Sequence, residues 1–272
     1  MLKSAEFSTR SVGTTRREIT NDHTIKMGVA VLMTLNPDGS LHEDTRKGVE
    51  AAGQEVLTAG LQSCLGEIQS FLDEHWGEKL DLKPSFLRRR FEECVTLEGL
   101  ESGETNALVA PIPSKLGDVL FDGIEGLRKL EMKVRLCVPP IEDGNNFGVE
   151  IQGAVLKAIC HARSTFSYYQ DKLTDYFWKR AGAVEKFLVQ RNHETVLNGN
   201  DAGVAKESFK TSKPVSDYRE YVICHDIRYF LYFRGIALEV RDTILRVLDA
   251  YEKNLDKVRN PKGEGHARNS MY

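Results

Sequence analysis

Two stretches of this chain, residues 151–188 and 218–258, carry apolar side chains largely at steps of three and four with no internal proline. That spacing keeps every apolar member on one face of an α-helix. The first stripe is Ile151, Val155, Ile159, Ala162, Phe166, Tyr169, Leu173, Tyr176, Ala181, Val184 and Leu188. The second is Tyr218, Val222, Tyr229, Phe233, Ala237, Val240, Ile244, Val247, Tyr251, Leu255 and Val258. At the helical rise each would extend roughly 60 Å, several times the length of an ordinary globular helix. Rods of that length need other rods beside them, so the chain is constrained to an elongated bundle.

Two shorter stripes supply the partners. One is Val49, Ala52, Val56, Gly60, Cys64, Ile68, Leu72 and Trp76, ended by Gly77 and Pro84. The other is Leu116, Leu120, Ile124, Leu127, Leu130, Val134 and Val138, entered at Pro113 and stopped by Pro139-Pro140. No segment sustains the alternation of a strand. The expected fold is all-α: an elongated up-and-down four-helix bundle over 46–260, with helices near 46–76, 113–138, 149–190 and 215–258. The connections are unequal, a long crossover at 77–112, a short loop at 139–148 and a polar loop at 191–216.

Composition narrows the function classes. Lys plus Arg number 37 against 40 Asp plus Glu, a net charge of −3, which argues against a nucleic-acid partner. Apolar residues make up 41%, enough to fill a core. No apolar run reaches the ~18 residues of a membrane span. The five cysteines, Cys64, Cys94, Cys137, Cys160 and Cys224, are scattered and contain no CxxC, which suits a reducing compartment. Residues 1–45 read as an arm rich in Ser, Thr and Arg at its start, with a short apolar piece, Met27–Leu35; a transit peptide is the alternative reading.

The chemistry of an enzyme is missing from the pattern. No Glu precedes any of the seven histidines by three residues, as a di-iron bundle requires. Cys160-His161 and Cys224-His225 are adjacent pairs, whose members diverge by about 100° on a helix. GxxxxGK[ST], GxGxxG and GxSxG are absent. No metal or cofactor is expected. Arg88-Arg89-Arg90 could form an anion patch or nuclear signal, but Glu92 and Glu93 favour a solvated helical face. The third and fourth stripes also carry off-face aromatic and apolar residues, Phe177, Trp178, Phe187, Tyr221, Phe230, Leu231 and Tyr232. Either the core face is wider than one stripe, or these residues are covered by another copy of the chain.

The short loop has an unusual composition: Ile141-Glu142-Asp143-Gly144-Asn145-Asn146-Phe147-Gly148, after Pro139-Pro140. A plain capping turn does not need two acids, two asparagines and a phenylalanine, although that reading stays open; projecting polar groups on a shaped loop suit contact with a partner. Together with Val149, this run resembles the activation loop of the 11S (REG, PA-type) proteasome activators. Asp217-Tyr218-Arg219, Glu239-Val240-Arg241, Tyr251–Asn254 and Asn260–Glu264 resemble the same family, as does the ending Ser270-Met271-Tyr272. The resemblance covers about 113–272 and extends to the first helix only by pattern.

The resemblance implies a heptameric ring of four-helix protomers that docks without ATP on the α-subunit ring of the 20S proteasome. Ser270, Met271 and Tyr272, at the end of a flexible tail over 261–272, would enter pockets between α-subunits. The loop at Glu142–Phe147 would open the gate, and peptides would pass through the central pore. The protein would be a regulator and not an enzyme, placed in cytoplasm, nucleus or both. The alternative is a scaffolding oligomer that gates nothing. Three regions depart from the family pattern: 77–112 lacks a long Lys/Glu insert, 195–213 reads as an insertion, and 1–45 matches nothing in it.

Overall fold

The computed structural model describes residues 36, 38–78, 80–140, 146–197 and 216–262. Every regular element among them is a helix: α1 (Glu43–Glu55), a π-helical turn (Val56–Gly60), α2 (Leu61–Trp76), α3 (Pro84–Cys94), α4 (Leu97–Ser102), α5 (Ile112–Leu136), α6 (Phe147–Lys172), α7 (Asp175–Leu197), α8 (Ser216–Lys253) and α9 (Leu255–Arg259). Four rods result: α1–α2, α5, α6–α7 and α8. α5 packs between α1 and α6, while α8 packs on α2, α6 and α7. The all-α bundle expected from the stripes is the observed fold.

The core follows the stripes, with one instructive shift. Cys64, Ile68, Leu72 and Trp76 are buried as expected, but Gly60 is exposed and Leu61 takes its place. The π turn explains this. It carries one extra residue per turn, so the buried face steps by five from Val56 to Leu61. A strictly α-periodic reading therefore lands on the wrong residue at that point.

The long third rod is divided at Leu173-Thr174. Thr174 and Asp175 form a helix-start signature, a capping residue type followed by an acid in the first turn, and the chain restarts there as α7. Leu173 and Tyr176 stay buried across the break, so both pieces face the same core. The fourth rod ends at Asn254, whose side-chain amide donates to the Ala250 carbonyl (2.8 Å) and competes with the helical ladder.

The crossover at 77–112, expected as a loop, contains α3 and α4. Leu87 and Phe91, four apart on α3, are fully buried, and Phe91 meets Phe230 of α8 at 5.5 Å between ring centres. Arg219 of α8 ties α3 down by donating to the Glu92 and Val95 carbonyls (3.1 Å each). The Thr96 hydroxyl caps α4 through the Gly99 N–H (3.0 Å), and Gly103 closes it at φ 75°, a conformation that favours glycine. Arg88 bonds Glu92 (2.8 Å) and Glu220 (2.7 Å), so the arginine cluster is a solvated helical face engaged with α8.

Candidate functional site

The loop between α5 and α6 begins where the α5 ladder runs out. Leu136 is the last residue of α5 and Cys137 caps it, and Pro139 and Pro140 have no N–H to continue it. Ile141, Glu142, Asp143, Gly144 and Asn145 lie outside the described residues. The chain re-enters at Asn146, whose carbonyl accepts the Glu150 N–H (3.0 Å) and starts α6. Phe147, the first residue of α6, is 61% exposed, while Gly148 beside it is buried.

What buries Gly148 is the other end of the chain. The backbone of Pro261 lies directly on its Cα; a Cβ at position 148 would stand 2.6 Å from the Pro261 Cα and carbonyl carbon. Pro261 follows α9, which packs on α6 through the fully buried Val258. The roots of the loop and of the C-terminal tail therefore meet at one end of the bundle. Ser270, Met271 and Tyr272 lie outside the described residues.

Gln152 completes this junction. Its side chain is 0% exposed, and its Nε2 donates to the Cys137 carbonyl (3.0 Å) and to the Val258 carbonyl (2.8 Å). Sequence reasoning passed over Gln152, Cys137 and Val258 as site residues. The available signal was a glutamine beside Ile151, at the start of an apolar face, where a polar residue needs a reason.

Several charged groups near this end act on one another within the protomer. Lys133 is buried, and its Nζ donates to Gln54 Oε1 (2.6 Å) across the face left open by Gly53. Burial pushes the Lys133 ammonium below its usual range, and Arg259 adds to that while Glu50 opposes it. Burial pushes the Cys137 thiol up, as does Glu50, against Lys133 and Arg259. One step further along α5, burial raises the Glu131 carboxyl, but hydrogen bonds from Arg135 and the Cys160 thiol and the charge of Arg163 outweigh it and hold it below the usual range.

A second polar cluster lies some 40 Å along the rods by helical rise. Asp226 of α8, fully buried, accepts from Asn106 Nδ2 (2.8 Å), Tyr176 Oη (3.1 Å) and Arg180 Nε (3.1 Å). Arg180 also donates to the Glu104 carbonyl (2.9 Å). The cluster joins the crossover to α7 and α8. Among the described residues, no group of three His, Cys, Asp or Glu could hold a metal ion, and no helix is long and apolar enough to cross a membrane.

The off-face aromatics divide into two sets. Phe187 and Phe230 are buried inside the protomer, Phe230 against Trp76. Phe177, Trp178, Tyr221, Leu231 and Tyr232 are exposed, Trp178 by 80%, and Trp178 and Tyr221 line a groove of about 1060 Å³ between α7 and α8. The core is therefore wider than one stripe, and the second set leaves an exposed apolar surface on the protomer.

The family model described as Proteasome activator PA28, C-terminal, matches residues 104–198 and 200–268, which is more than half of the chain. The chain belongs to the PA28 proteasome activator family. Human proteasome activator complex subunit 3 is 28% identical over 187 residues, covering 66% of this chain and 65% of the relative. The chicken protein of the same name is 30% identical over 139 residues, covering 51% of this chain and 46% of that one. The alignment thus spans just under two thirds of the human relative. The fold is that of the 11S subunit of the Plasmodium falciparum proteasome, PA28, with a TM-score of 0.56 at 19% identity over 80% of this chain and 91% of that one. The activator of a proteasome–11S complex superposes equally well, with a TM-score of 0.56 at 14% identity over 81% of this chain and 96% of the other. The PA28 match spans α5 to α9, the helices that carry the roots of the loop and the tail.

Proposed function

We propose that this chain is a non-enzymatic, ATP-independent activator of the 20S proteasome. The observation that carries the reading is the meeting of loop and tail: α5, α6 and α9 deliver the ends of the PA28-like loop and the start of the tail to one end of the bundle, in contact through Gly148 and Pro261. A docking face needs both elements on one side. The tail, ending Ser270-Met271-Tyr272, attaches the protein to the α-subunit ring, and the loop Ile141–Gly148 acts on the gate through which peptides enter. Membership of the PA28 family and the similarity to proteasome activator complex subunit 3 support this assignment.

Assembly into a heptamer follows from the same reading. The exposed Phe177, Trp178, Tyr221, Leu231 and Tyr232 on α7 and α8 give a protomer apolar surface to bury against its neighbours. Seven chains of 30.7 kDa make about 215 kDa. A ring presents several weak tails at once, and linked sites gain roughly 10²–10⁴ in avidity with no new type of contact.

The deciding experiment adds the purified protein to latent 20S proteasome and a fluorogenic peptide without ATP, with light scattering on the same sample. Stimulated hydrolysis by a particle of about seven chains is expected. A ring that leaves the peptide rate unchanged with a matched proteasome would overturn the activator reading in favour of a scaffold.

A further inference from the structure

Gln152 does two things at once that no other side chain at this end does in the described residues. The last carbonyls of an α-helix have no partner within the helix. Cys137 O belongs to the end of α5 and Val258 O to the last turn of α9, and one amide nitrogen, fully buried, spends both of its protons on them. These are the two helix ends from which the chain departs, at Val138 toward the loop and at Asn260 toward the tail. Gln152 sits on α6 one turn beyond Gly148, where the loop returns and where the Pro261 backbone rests. Three helix ends are thus tied through one side chain and one glycine.

The arrangement has a cost that identifies it as more than packing. Among the described residues, Gln152 Oε1 is buried with no hydrogen-bond partner. A buried polar atom left unpaired is unfavourable, and an apolar side chain of similar length would avoid it. What such a side chain could not do is hold two carbonyls of two helices at fixed distance from each other.

We propose that Gln152 and Gly148 form a clasp that makes the tail root and the loop roots one rigid unit, and that Gln152 is a positioning residue for gate opening. Seating of the tail then sets where its own loop stands, because the two cannot move independently. The gating part of this inference rests on the activator reading above; the clasp itself does not.

The test has two arms on the full-length ring. In the first, amide hydrogen exchange is followed without proteasome in peptides covering 137–150 and 254–262, for the parent protein, Gln152→Met and Gly148→Ala. Gln152→Met keeps the side-chain length and removes both donors. Gly148→Ala leaves both donors in place and pushes Pro261 away. Each variant should speed exchange about ten-fold in both peptides together, the factor expected for losing one to two ordinary hydrogen bonds, with the centres of α5 and α8 unchanged. Faster exchange in one peptide alone, or in neither, would overturn the clasp.

In the second arm the same rings are titrated into 20S proteasome, and binding by co-sedimentation is compared with maximal peptide turnover. A clasp that positions the loop predicts a split: half-saturation within about three-fold of the parent, and a maximal stimulation lowered by about five-fold or more, since attachment survives and the loop is no longer held. A residue that served stability alone would lower both together or neither. Parent-like maximal stimulation by both variants would overturn the positioning role. If the parent ring itself fails to stimulate, the activator reading and the positioning role fall, and the exchange arm alone still decides whether the clasp exists.

Discussion

Asp226→Asn is the substitution whose cost can be worked most directly from the structure. The change is isosteric, so no cavity opens, and the effect is electrostatic. Arg180 Nε stands 3.1 Å from one Asp226 oxygen and 3.3 Å from the other. Whichever way an amide is turned, its NH₂ faces that donor, and also faces either Asn106 Nδ2 or the Tyr176 hydroxyl. Arg180 is itself buried, so its charge loses its counterion without gaining water. Breaking a buried pair in this way costs about 3–5 kcal/mol. The amide keeps some of the hydrogen bonds, which places the expectation near 3 kcal/mol and the fall in Tm at about 6–12 °C for a chain of this size. The assay is urea unfolding followed by far-UV circular dichroism at one fixed protein concentration, because association adds to apparent stability. A double variant, Arg180→Met with Asp226→Leu, removes both charges and should recover most of the loss, whereas independent sites would add. A loss below about 1 kcal/mol for Asp226→Asn, or additivity in the double variant, would refute the reasoning.

Other expectations follow from named groups. Removing Ser270-Met271-Tyr272 should leave the ring intact and abolish binding to 20S proteasome; co-sedimentation unchanged from the parent would end the assignment of the tail. Burial holds the His225 imidazole below its ordinary value of about 6.5, with the bond to the Tyr176 carbonyl and the Asp226 charge opposing. The unfolded chain therefore takes up that proton first, and stability present above pH 6.5 should fall as the pH drops below it, toward the folded-state value. His75 is shifted in the same direction by burial, so His225→Phe should flatten the slope of Tm against pH only in part, and a parent Tm that is level or rising on acidification would contradict this. The Cys64 thiol is pushed up to about 12, chiefly by burial, with Glu67 and Asp122 adding to it. An aromatic disulfide reagent at mildly alkaline pH should modify the exposed Cys94 and Cys224 first and reach Cys64 only as fast as the protein opens; equal rates would show that the core is not closed around it.

Much of the fold was legible because helical burial is periodic. Ile159, Phe166, Phe233, Ile244 and their stripe neighbours are buried where spacing alone puts them. The failures occurred where a local device interrupts the period. The π turn after Glu55 moved the core from Gly60 to Leu61, and nothing in Val56–Gly60 marks a five-residue step. The crossover helices α3 and α4 are too short for a stripe to declare itself between Pro84, Gly99 and Gly103. Of the candidate site, the loop and tail were legible as motifs, while their meeting was not: Gly148 and Pro261 are far apart in sequence, and only the packing of α9 on α6 joins them. Asp226 and Gln152 stayed hidden for a related reason. Each is a polar residue on a buried face whose partners lie on other helices, and periodicity carries no information about partners.

The strapping of the crossover onto α8 has a consequence for the order in which the chain is made. The α5–α6 hairpin closes a short loop and can form as soon as it is synthesised. The ties between crossover and α8 join residues 132, 124 and 120 positions apart, in Arg88–Glu220, Arg219–Val95 and Asn106–Asp226. At ordinary rates of synthesis, α3 is made roughly 6–26 s before the residues that cover it. Throughout that interval Phe91 and Trp76 lack Phe230, and Asn106 lacks Asp226. The nascent protein therefore carries an uncovered aromatic face for most of its birth, and the yield of native chain depends on how that face is sheltered until α8 arrives.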